Sequence, residues 1–230
     1  IGRDFDAYWH SDSAHPVDRI VYEADAAALS SLITDALRAG ASPEGTAYFQ
    51  RLADSALAQQ IRSGTLPFEW TSVTLVSDDP AKGLGKATER DMLFPQLLAL
   101  VARPTRSVDL VSAYFIPGRQ FAQSIEALAR DGVQVRVLTN SASATDEPLA
   151  HARYAVYRRQ VVELGVEVYE LSATLAGRRR GLGGASASSH GRLHAKWAVV
   201  DRRRVLVGSM NLDPRSALLN TELGLLIDRS

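Results

Sequence analysis

The sequence predicts an α/β fold in which a mixed β-sheet is flanked by helices on both faces and preceded by a helical appendage. Two phrases, ALARDGVQVRVL and QVVELGVEVYEL, repeat one unit of helix, Gly-Val and strand. Helices that alternate with apolar strands indicate a sheet buried on both sides. Three short strands are predicted near 194–200, 203–208 and 221–227, and a tight turn at 201–203 joins the first two as a hairpin.

The chain divides into two predicted regions. Residues 1–68 form an N-terminal helical segment, and residues 69–230 form the α/β domain. Within the second region, SATLAGRRRGLGGASASSHG at 172–191 interrupts the alternation of helices and strands. Its Gly, Ser and Ala content and its three consecutive arginines predict a flexible loop.

Helical spacing of apolar residues predicts a first helix over 21–39, which Gly40 ends. A second helix begins at Ser42-Pro43-Glu44, because Ser can cap a helix, Pro fits the first helical position and Glu suits the positive end. Gly64 and Pro67 end this helix.

The α/β region continues with alternating elements. In chain order they are the strand 70–77, a helix from a Thr88 cap to about Ala102 that Pro95 kinks or delays, the strand 107–113, the helix 119–130, the strand in DGVQVRVLTN, the helix 148–164 and the strand in LGVEVYEL.

Composition narrows the function classes. The 230 residues hold 46% apolar side chains, which is enough for a core, and 26 basic residues balance 26 acidic ones. Zero net charge gives no overall attraction to nucleic acid or an anionic membrane. The absence of Cys excludes disulfides and Cys-ligated zinc. No apolar run is long enough to span a bilayer. The start at Ile1 leads us to expect a piece of a longer protein.

The strongest motif is HAKWAVVDRRRVLVGSMN. It places His194, Lys196 and Asp201 at fixed spacing, followed by Gly208-Ser209 and Asn211. At average residue frequencies of about 5%, six fixed positions match by chance in roughly a few chains per million. The spacing therefore indicates a functional site.

The motif predicts a phosphoryl-binding pocket. His194 and Lys196 are two apart on a predicted strand, so their side chains leave the same face. The hairpin brings Ser209 and Asn211 alongside. Lys and Asn can hold phosphoryl oxygens, and His can act as a nucleophile or a general acid. Asp201 lies five residues past Lys196, and its position at the turn suits a structural role.

The stretch resembles the HKD motif of the phospholipase D superfamily, H-x-K-x4-D-x6-G-S-x-N, at every fixed position. The continuation NLDPRSALLNTELGLLID resembles the bacterial cardiolipin synthase branch. So do FDAYWHSDSAHPV, SAYFIPG and LTNSASATDEPLAHARYAVYR. The resemblance extends over nearly the whole chain and implies a phospholipase D-like half.

The resemblance implies a mechanism without a metal or another cofactor. Two HKD motifs meet across a pseudo-twofold axis, and one His attacks phosphorus to form a phosphohistidine. The other His protonates the leaving group and then activates the acceptor, a role that falls to His194. Glu222, in NTELG, matches the family acid that hydrogen-bonds a catalytic His. The implied catalytic set is His194, Lys196, Asp201 and Glu222.

Four residues are expected to bind substrate: Ser209, Asn211, Tyr114 and His151. Tyr114 follows a strand, where an α/β sheet places its ligand loops. His151 lies in a helix that the resemblance places near the mouth of the site.

A second HKD motif is absent from the sequence. The other histidines are His10, His15, His151 and His190, and none has Lys two residues later. We therefore interpret the chain as the C-terminal half of a two-motif enzyme whose N-terminal half completes the site. The isolated 230-residue chain is expected to be inactive.

Three functions compete at this point. The first is a phosphatidyltransferase acting on phosphatidylglycerol or a similar phospholipid, peripheral to the cytoplasmic face of a bacterial membrane. The second is a phosphodiesterase or endonuclease that works as a homodimer. It suits a one-motif chain, but it does not explain the synthase-like flanking segments, and zero net charge argues against nucleic acid. The third is a half-domain that binds phosphate without turnover.

Overall fold

The computed structural model describes four ranges, residues 1–20, 25–100, 103–172 and 192–228. They form two compact units, residues 14–70 and the combination of 1–13 with 71–230. All but the first residue of the predicted loop at 172–191 lies outside the described residues. Within the four ranges, no helix has the length and apolar character needed to cross a bilayer.

The described α-helices are numbered in chain order. They are α1 Gly2–Trp9, α2 Ala26–Ala41, α3 Pro43–Ala53, α4 Ala56–Ser63, α5 Leu93–Leu100, α6 Gly118–Arg130, α7 Pro148–Glu163 and α8 Pro214–Leu218. Short 3-10 turns occupy Val17–Arg19, Pro80–Leu84 and Glu89–Asp91.

The unit of residues 14–70 holds α2 to α4, and its helix ends follow local capping rules. The Ser42 hydroxyl accepts from the Gly45 N–H at 3.0 Å, as its position before Pro43 predicts. The predicted second helix is divided, because α3 ends at Ala53 and a new cap starts α4. Gly64 ends α4 in the left-handed conformation, with φ 67°.

The predicted stop at Gly40 is wrong, since α2 runs through it to Ala41. The next helix approaches the end of α2 closely, and this explains the glycine at position 45. A Cβ on Gly45 would lie 2.3 Å from the Ala39 oxygen and 2.7 Å from the Gly40 oxygen. Gly45 thus serves the tight α2–α3 contact, whereas a Cβ on Gly40 would meet only Phe49 at 3.7 Å, an ordinary contact.

The larger unit is built on one seven-stranded sheet in the order β1-β7-β6-β5-β2-β3-β4. The strands are β1 Val73–Ser77, β2 Ser107–Ser112, β3 Gln134–Asn140, β4 Glu167–Leu171, β5 Lys196–Val200, β6 Arg204–Gly208 and β7 Leu223–Asp228. β2, β3 and β4 are parallel, and the remaining neighbours are antiparallel. The predicted mixed α/β sheet is confirmed.

The helix predicted from Thr88 to about Ala102 is shorter than expected. Thr88 and Asp91 form a capping box around a 3-10 turn, and α5 begins only at Leu93. Pro95 is the third residue of α5, in the first turn, where its missing N–H costs no helical hydrogen bond. Pro95 therefore delays the helix, which is one of the two predicted alternatives.

The core lies between the sheet and helices α6 and α7. Val137 of β3 packs with Ile125 of α6 and with Tyr154 and Val161 of α7, and all four side chains are buried. Because each helix links parallel neighbouring strands, both lie on the same side of the sheet. Helix α5 also lies on this side, where it faces Gly224 of β7.

The opposite sheet face carries apolar side chains that are partly exposed. Trp197 and Val207 are register partners on β5 and β6, and they are 38% and 45% exposed. Val73 and Leu223 extend this surface across β1 and β7. Lys196 and Trp197 are adjacent, so the motif strand presents one residue to each face.

The predicted hairpin turn at 201–203 is present between β5 and β6. Asp201 and Arg202 have φ values of 52° and 55°, the left-handed conformation that a tight hairpin turn requires at both central residues. This turn lies at the end of β5 opposite to Lys196, so it sets the length of the motif strand.

Candidate active site

His194 and Lys196 mark the start of strand β5. The strand was expected to include both residues, but it begins at Lys196, and His194 lies just before it, with an exposed side chain. The Lys196 ammonium donates to the His194 backbone oxygen at 2.8 Å. The two functional groups thus belong to one short stretch of chain at the start of β5, an interior strand of the sheet, and the imidazole is accessible.

A buried amide fixes the chain in front of His194. Asn140, at the end of β3, is only 3% exposed. Its side chain accepts from the Leu193 N–H at 3.0 Å and donates to the Leu193 oxygen at 2.9 Å and the Ala113 oxygen at 3.2 Å. Because both polar groups of Leu193 are held, the position of the next residue, His194, is set by Asn140.

Gly208 and Ser209 join the motif to β7. A Cβ on Gly208 would lie 2.4 Å from the Leu223 backbone oxygen, so only glycine allows this approach. The Ser209 N–H then donates to the same oxygen at 3.0 Å, and the Leu223 N–H donates to the Ser209 hydroxyl at 3.0 Å. The glycine of the motif is thus explained by close strand contact.

Ser209 and Glu222 form a hydrogen-bonded pair beside Lys196. The Ser209 hydroxyl donates to the Glu222 carboxylate at 2.5 Å, and Glu222 is 8% exposed. Burial lowers the pKa of Lys196, while the negative charges of Glu222, Asp146 and Asp213 oppose this effect. Partial removal from water strengthens the attraction of the Lys196 ammonium for an anion, whereas the three carboxylates weaken it.

Asn211 follows the motif glycine and serine and is 8% exposed. The carboxamide oxygen of Asn211 accepts from the Tyr114 backbone N–H at 3.4 Å. The backbone N–H of Asn211 donates to the Ser216 hydroxyl at 3.3 Å. Since the carboxamide oxygen faces the protein backbone, the NH2 group is what this side chain can offer to a phosphoryl oxygen.

Tyr114 lies in the loop after β2, as predicted, and its hydroxyl donates to Asp146 at 2.9 Å. Burial, together with the neighbouring Asp146 carboxylate, raises the pKa of Tyr114 to about 12. The hydrogen bond from Tyr114 lowers the pKa of Asp146, and the neighbouring Arg192 and His194 act in the same direction. Asp146 therefore belongs to the electrostatic surroundings of His194.

His151 lies on α7, behind Tyr114. Its ring packs edge-on against Tyr154 with centroids 5.5 Å apart, and it shares a small cavity with Tyr114 and Asn140. Its buried Nδ1 has no hydrogen-bond partner among the described residues. The structure places His151 beside residues that shape the site.

Asp201 lies at the far end of β5. Its carboxylate accepts from the peptide N–H groups of Thr105, Arg106 and Ser107 at 3.0, 2.7 and 3.0 Å, and from the Thr105 hydroxyl at 3.0 Å. Burial raises the pKa of Asp201, but the backbone N–H groups outweigh it and bring the pKa to about 2. These contacts tie the turn to the start of β2.

Known proteins resemble this chain along its whole length. Over 238 aligned residues it is 36% identical to cardiolipin synthase C of Escherichia coli (strain K12), covering 99% of this chain and 48% of that protein. It is 30% identical to cardiolipin synthase B of the same organism over 138 residues, covering 60% of this chain and 29% of that protein. The chain thus spans about half, or less, of the length of the curated relatives that it matches.

The family described as "Cardiolipin synthase, PLD-like domain" matches residues 97–230. The chain belongs to this family. Among solved structures, the phosphatidylserine synthase of Haemophilus influenzae Rd KW20 is 20% identical with a TM-score of 0.49, and the alignment covers 71% of this chain and 35% of that one. The family match and the 36% identity to cardiolipin synthase C confirm, at the level of the family, the resemblance stated from the motif.

In this PLD-like chain, the predicted site residues do not all meet. The structure brings His194, Lys196, Ser209, Asn211 and Glu222 to one end of the β5–β6–β7 region, with Tyr114 at its edge. It separates Asp201 from them by the length of β5. Among the described residues there is no cluster of His, Asp or Glu that could hold a metal ion.

The PLD-like site rests on a buried ion pair that sequence reasoning missed. Lys82 and Asp78 are 2.7 Å apart, with side chains 1% and 0% exposed. Asp78 also accepts from the Glu222 N–H at 2.8 Å and the Leu93 N–H at 2.6 Å. Lys82 donates to the Ser216 oxygen at 2.9 Å. The pair therefore fixes the backbones that carry Glu222 and the partner of Asn211.

Two further residues near the site were missed, Asn140 and Asp146. Asn140 is the last residue of β3 and Asp146 follows the strand, and both lie inside the segment LTNSASATDEPLAHARYAVYR that supported the resemblance. Polar side chains just after a buried parallel strand are a signal that could have found them, because ligand loops lie at those strand ends. The Asp78–Lys82 pair offers no such signal, since an i,i+4 Asp and Lys usually form a solvent-exposed pair.

Proposed function

We propose that this chain is the C-terminal catalytic half of a cardiolipin-synthase-like phosphatidyltransferase. The observation that carries the proposal is the meeting of an accessible His194 with Lys196 and Asn211 at one sheet end, in a chain 36% identical to cardiolipin synthase C. The donor would be phosphatidylglycerol or a similar phospholipid, and the acceptor another lipid alcohol. The complete protein would act at the cytoplasmic surface of a bacterial membrane.

In the proposed reaction, His194 moves protons and a second His supplies the nucleophile. The nucleophilic imidazole attacks phosphorus, the P–O bond to the leaving alcohol breaks, and His194 gives that oxygen a proton. His194 then takes the proton of the acceptor alcohol, whose oxygen attacks phosphorus and releases the nucleophilic His. General acid–base catalysis of this kind contributes about 10²–10⁴-fold to a rate.

Charge in the transition state is held by donors already in place. The Lys196 ammonium and the Asn211 amide would bind the non-bridging phosphoryl oxygens. Because Lys196 donates to the His194 backbone oxygen, the cation is held next to the residue that carries the imidazole. The partly desolvated ammonium gains more from an anionic diester than an exposed one would.

The remaining predicted residues take supporting roles in this proposal. Glu222, paired with Ser209, would accept a hydrogen bond from a catalytic imidazole and fix its tautomer. Tyr114 would line the site with its Asp146 partner, and His151 would support Tyr114 from behind. Asp201 would act on the site only through the hairpin that sets the position of β5.

The second His is proposed to come from a second HKD motif, because none of the other four histidines of this sequence has Lys two residues later. A symmetric pair of these chains would also bring two His194 side chains together, and this arrangement carries the alternative function. That alternative is a homodimeric phosphodiesterase or endonuclease. The single motif favours it, whereas zero net charge gives no general attraction to nucleic acid.

The test is cardiolipin formation from phosphatidylglycerol vesicles by the complete two-motif protein. His194→Ala should lower the rate by at least about 10²–10⁴-fold. His15→Ala is the matched control, since His15 is exposed and lies outside the motif, and it should keep full activity. The 230-residue chain should be inactive on the same vesicles. Activity of that chain as a dimer on a nucleic-acid diester would instead support the alternative.

A further inference from the structure

An apolar groove of about 500 Å³ runs between helices α5 and α6 and the sheet beneath them. We call it the α5–α6 groove. It is lined by Leu97, Phe121, Leu128, Ala198, Leu206 and Gly224, among others. Its volume is in the range of about 300–1,000 Å³ that is typical of small-molecule sites.

The α5–α6 groove begins at the candidate active site. Lys196 lines one end, together with Met210 and Leu212, the two neighbours of Asn211 in sequence. Val200, at the other end of β5, lines it as well. The groove therefore follows β5 for four residue steps, roughly 13 Å at the rise of a strand. Two cations line the groove, Lys196 at the site end and Arg103, whose guanidinium forms an ion pair with Asp131. The other lining side chains are mostly apolar.

Small residues keep this volume open. A Cβ on Gly224 would meet Leu93 and Leu97 at 3.8 Å, which is ordinary contact. A larger residue could therefore be accommodated at this position, and the glycine leaves that space to the groove. Gly208, by contrast, is required by its 2.4 Å approach to the Leu223 oxygen. The groove is open to solvent, so its mostly apolar lining is left in contact with water, which is unfavourable in proportion to the exposed apolar area. An apolar occupant is therefore expected.

The roof of the groove limits what can enter. Phe94 of α5 and Phe121 of α6 both line it, and their ring centroids are 6.5 Å apart. A helix with its side chains needs about 10–12 Å and would not pass between these two rings. A single hydrocarbon chain would.

We propose that the α5–α6 groove binds an acyl chain of the phospholipid whose phosphate lies at Lys196. This inference rests on the proposed function and names the part of the substrate that the groove recognises. A phospholipid carries an anionic diester beside long apolar chains, which matches a cation at the mouth of an apolar groove. Each methylene group that enters should raise affinity about fourfold.

The test compares two probes by calorimetric titration of the 230-residue chain. One probe is dioctanoyl-phosphatidylglycerol below its micelle concentration, and the other is glycerophosphoglycerol, the same diester without acyl chains. The lipid should bind at least about tenfold more tightly. Ala198→Phe, which fills the floor of the groove, should remove this preference. Val199→Phe, one residue along and on the opposite sheet face, should keep it.

Equal affinity of the two probes for the unmodified chain would overturn the proposal. So would a preference for lipid that survives in a folded Ala198→Phe chain, with folding checked by circular dichroism. If that variant does not fold, Gly224→Leu tests the same space from β7. Lys196→Met should weaken both probes by a similar factor, because it removes only the phosphate contact.

The groove and the proposed function can fail separately. If the complete protein makes no cardiolipin but the chain still prefers the acylated probe, the acyl-chain proposal is supported and the transferase proposal is contradicted. If cardiolipin is made but both probes bind with equal affinity, the transferase proposal is supported and the acyl-chain proposal is contradicted.

Discussion

The two ends of strand β5 use the same motif in opposite ways. At the start, the His194 side chain is exposed and the Lys196 ammonium contacts only a backbone oxygen among its described hydrogen bonds. At the other end, the Asp201 carboxylate accepts from three consecutive peptide N–H groups. Four residues separate Lys196 from Asp201, so one motif reaches from one end of β5 to the other.

This difference indicates how such a motif divides its work. A carboxylate saturated by backbone donors fixes the hairpin and, through it, the register of β5 against β2. A cation and an imidazole with few internal partners keep their hydrogen-bonding capacity for a substrate. The start of β5, which we propose is catalytic and call the catalytic end, also has fixed charges close by, in the buried Asp78–Lys82 pair.

The largest expected effect comes from breaking that buried pair. Lys82→Met would leave Asp78 buried without its cation, which should lower the free energy of unfolding by about 3–5 kcal/mol. Urea denaturation of the 230-residue chain measures this loss. Lys86→Met removes an exposed Lys four residues on and should change the free energy by less than about 0.5 kcal/mol. Equal losses in both variants would show that the pair does not support the catalytic end.

At the catalytic end itself, Lys196→Met should affect activity far more than stability. Removal of one preorganised phosphoryl donor should lower the turnover of the complete protein by about 10²–10³-fold. The melting temperature should change little, since a partly desolvated charge is lost. Arg203→Met removes an exposed cation from the turn end of the same hairpin and should keep turnover within about twofold. A slow Arg203 variant would contradict the division between the two ends.

At the turn end, the effect should appear in stability. Asp201→Asn cannot accept the three peptide hydrogen bonds in the same way and should cost about 1–2 kcal/mol at neutral pH after allowance for solvent screening. The folded pKa of about 2 lies below the usual 3.8, so this stabilisation is complete above pH 3.8 and is lost as pH falls toward 2. Urea denaturation from pH 7 to pH 2 should therefore show the two chains converging. Asp12→Asn, at an exposed position, should follow the unmodified chain throughout.

Sequence reasoning predicted the parts that depend on local pattern. The helix–Gly-Val–strand repeat gave β3 and β4, and the motif gave the chemistry of one sheet end, because periodicity and spacing are local properties. It placed His194 on a strand that in fact begins at Lys196, since strand ends depend on pairing with β2. Asn140 was missed although its position at the end of a buried parallel strand was a usable signal. The Asp78–Lys82 pair was missed because the groups that it holds, Ser216 and Glu222, are distant in sequence. No periodicity reports such contacts.

The smallest predicted effect concerns the edge of the catalytic end. Tyr114→Phe removes the hydroxyl that donates to Asp146 at 2.9 Å and should cost about 0.5–1 kcal/mol, since Asp146 is exposed. That hydrogen bond lowers the pKa of Asp146 in the folded chain, so its contribution is present at neutral pH and is lost as pH falls through the lowered pKa. Urea denaturation at pH 7 and at pH 2 should therefore show a difference from the unmodified chain that shrinks in acid.

Tyr169→Phe is the matched control, because its hydroxyl donates to the exposed Glu167 at 3.1 Å, away from the site. It should have the smaller effect on stability and none on turnover of the complete protein, whereas Tyr114→Phe should also slow turnover by loosening Asp146 beside His194. If the two variants behave alike in both measurements, Tyr114 is a surface tyrosine like Tyr169, and the catalytic end stops at Asn211.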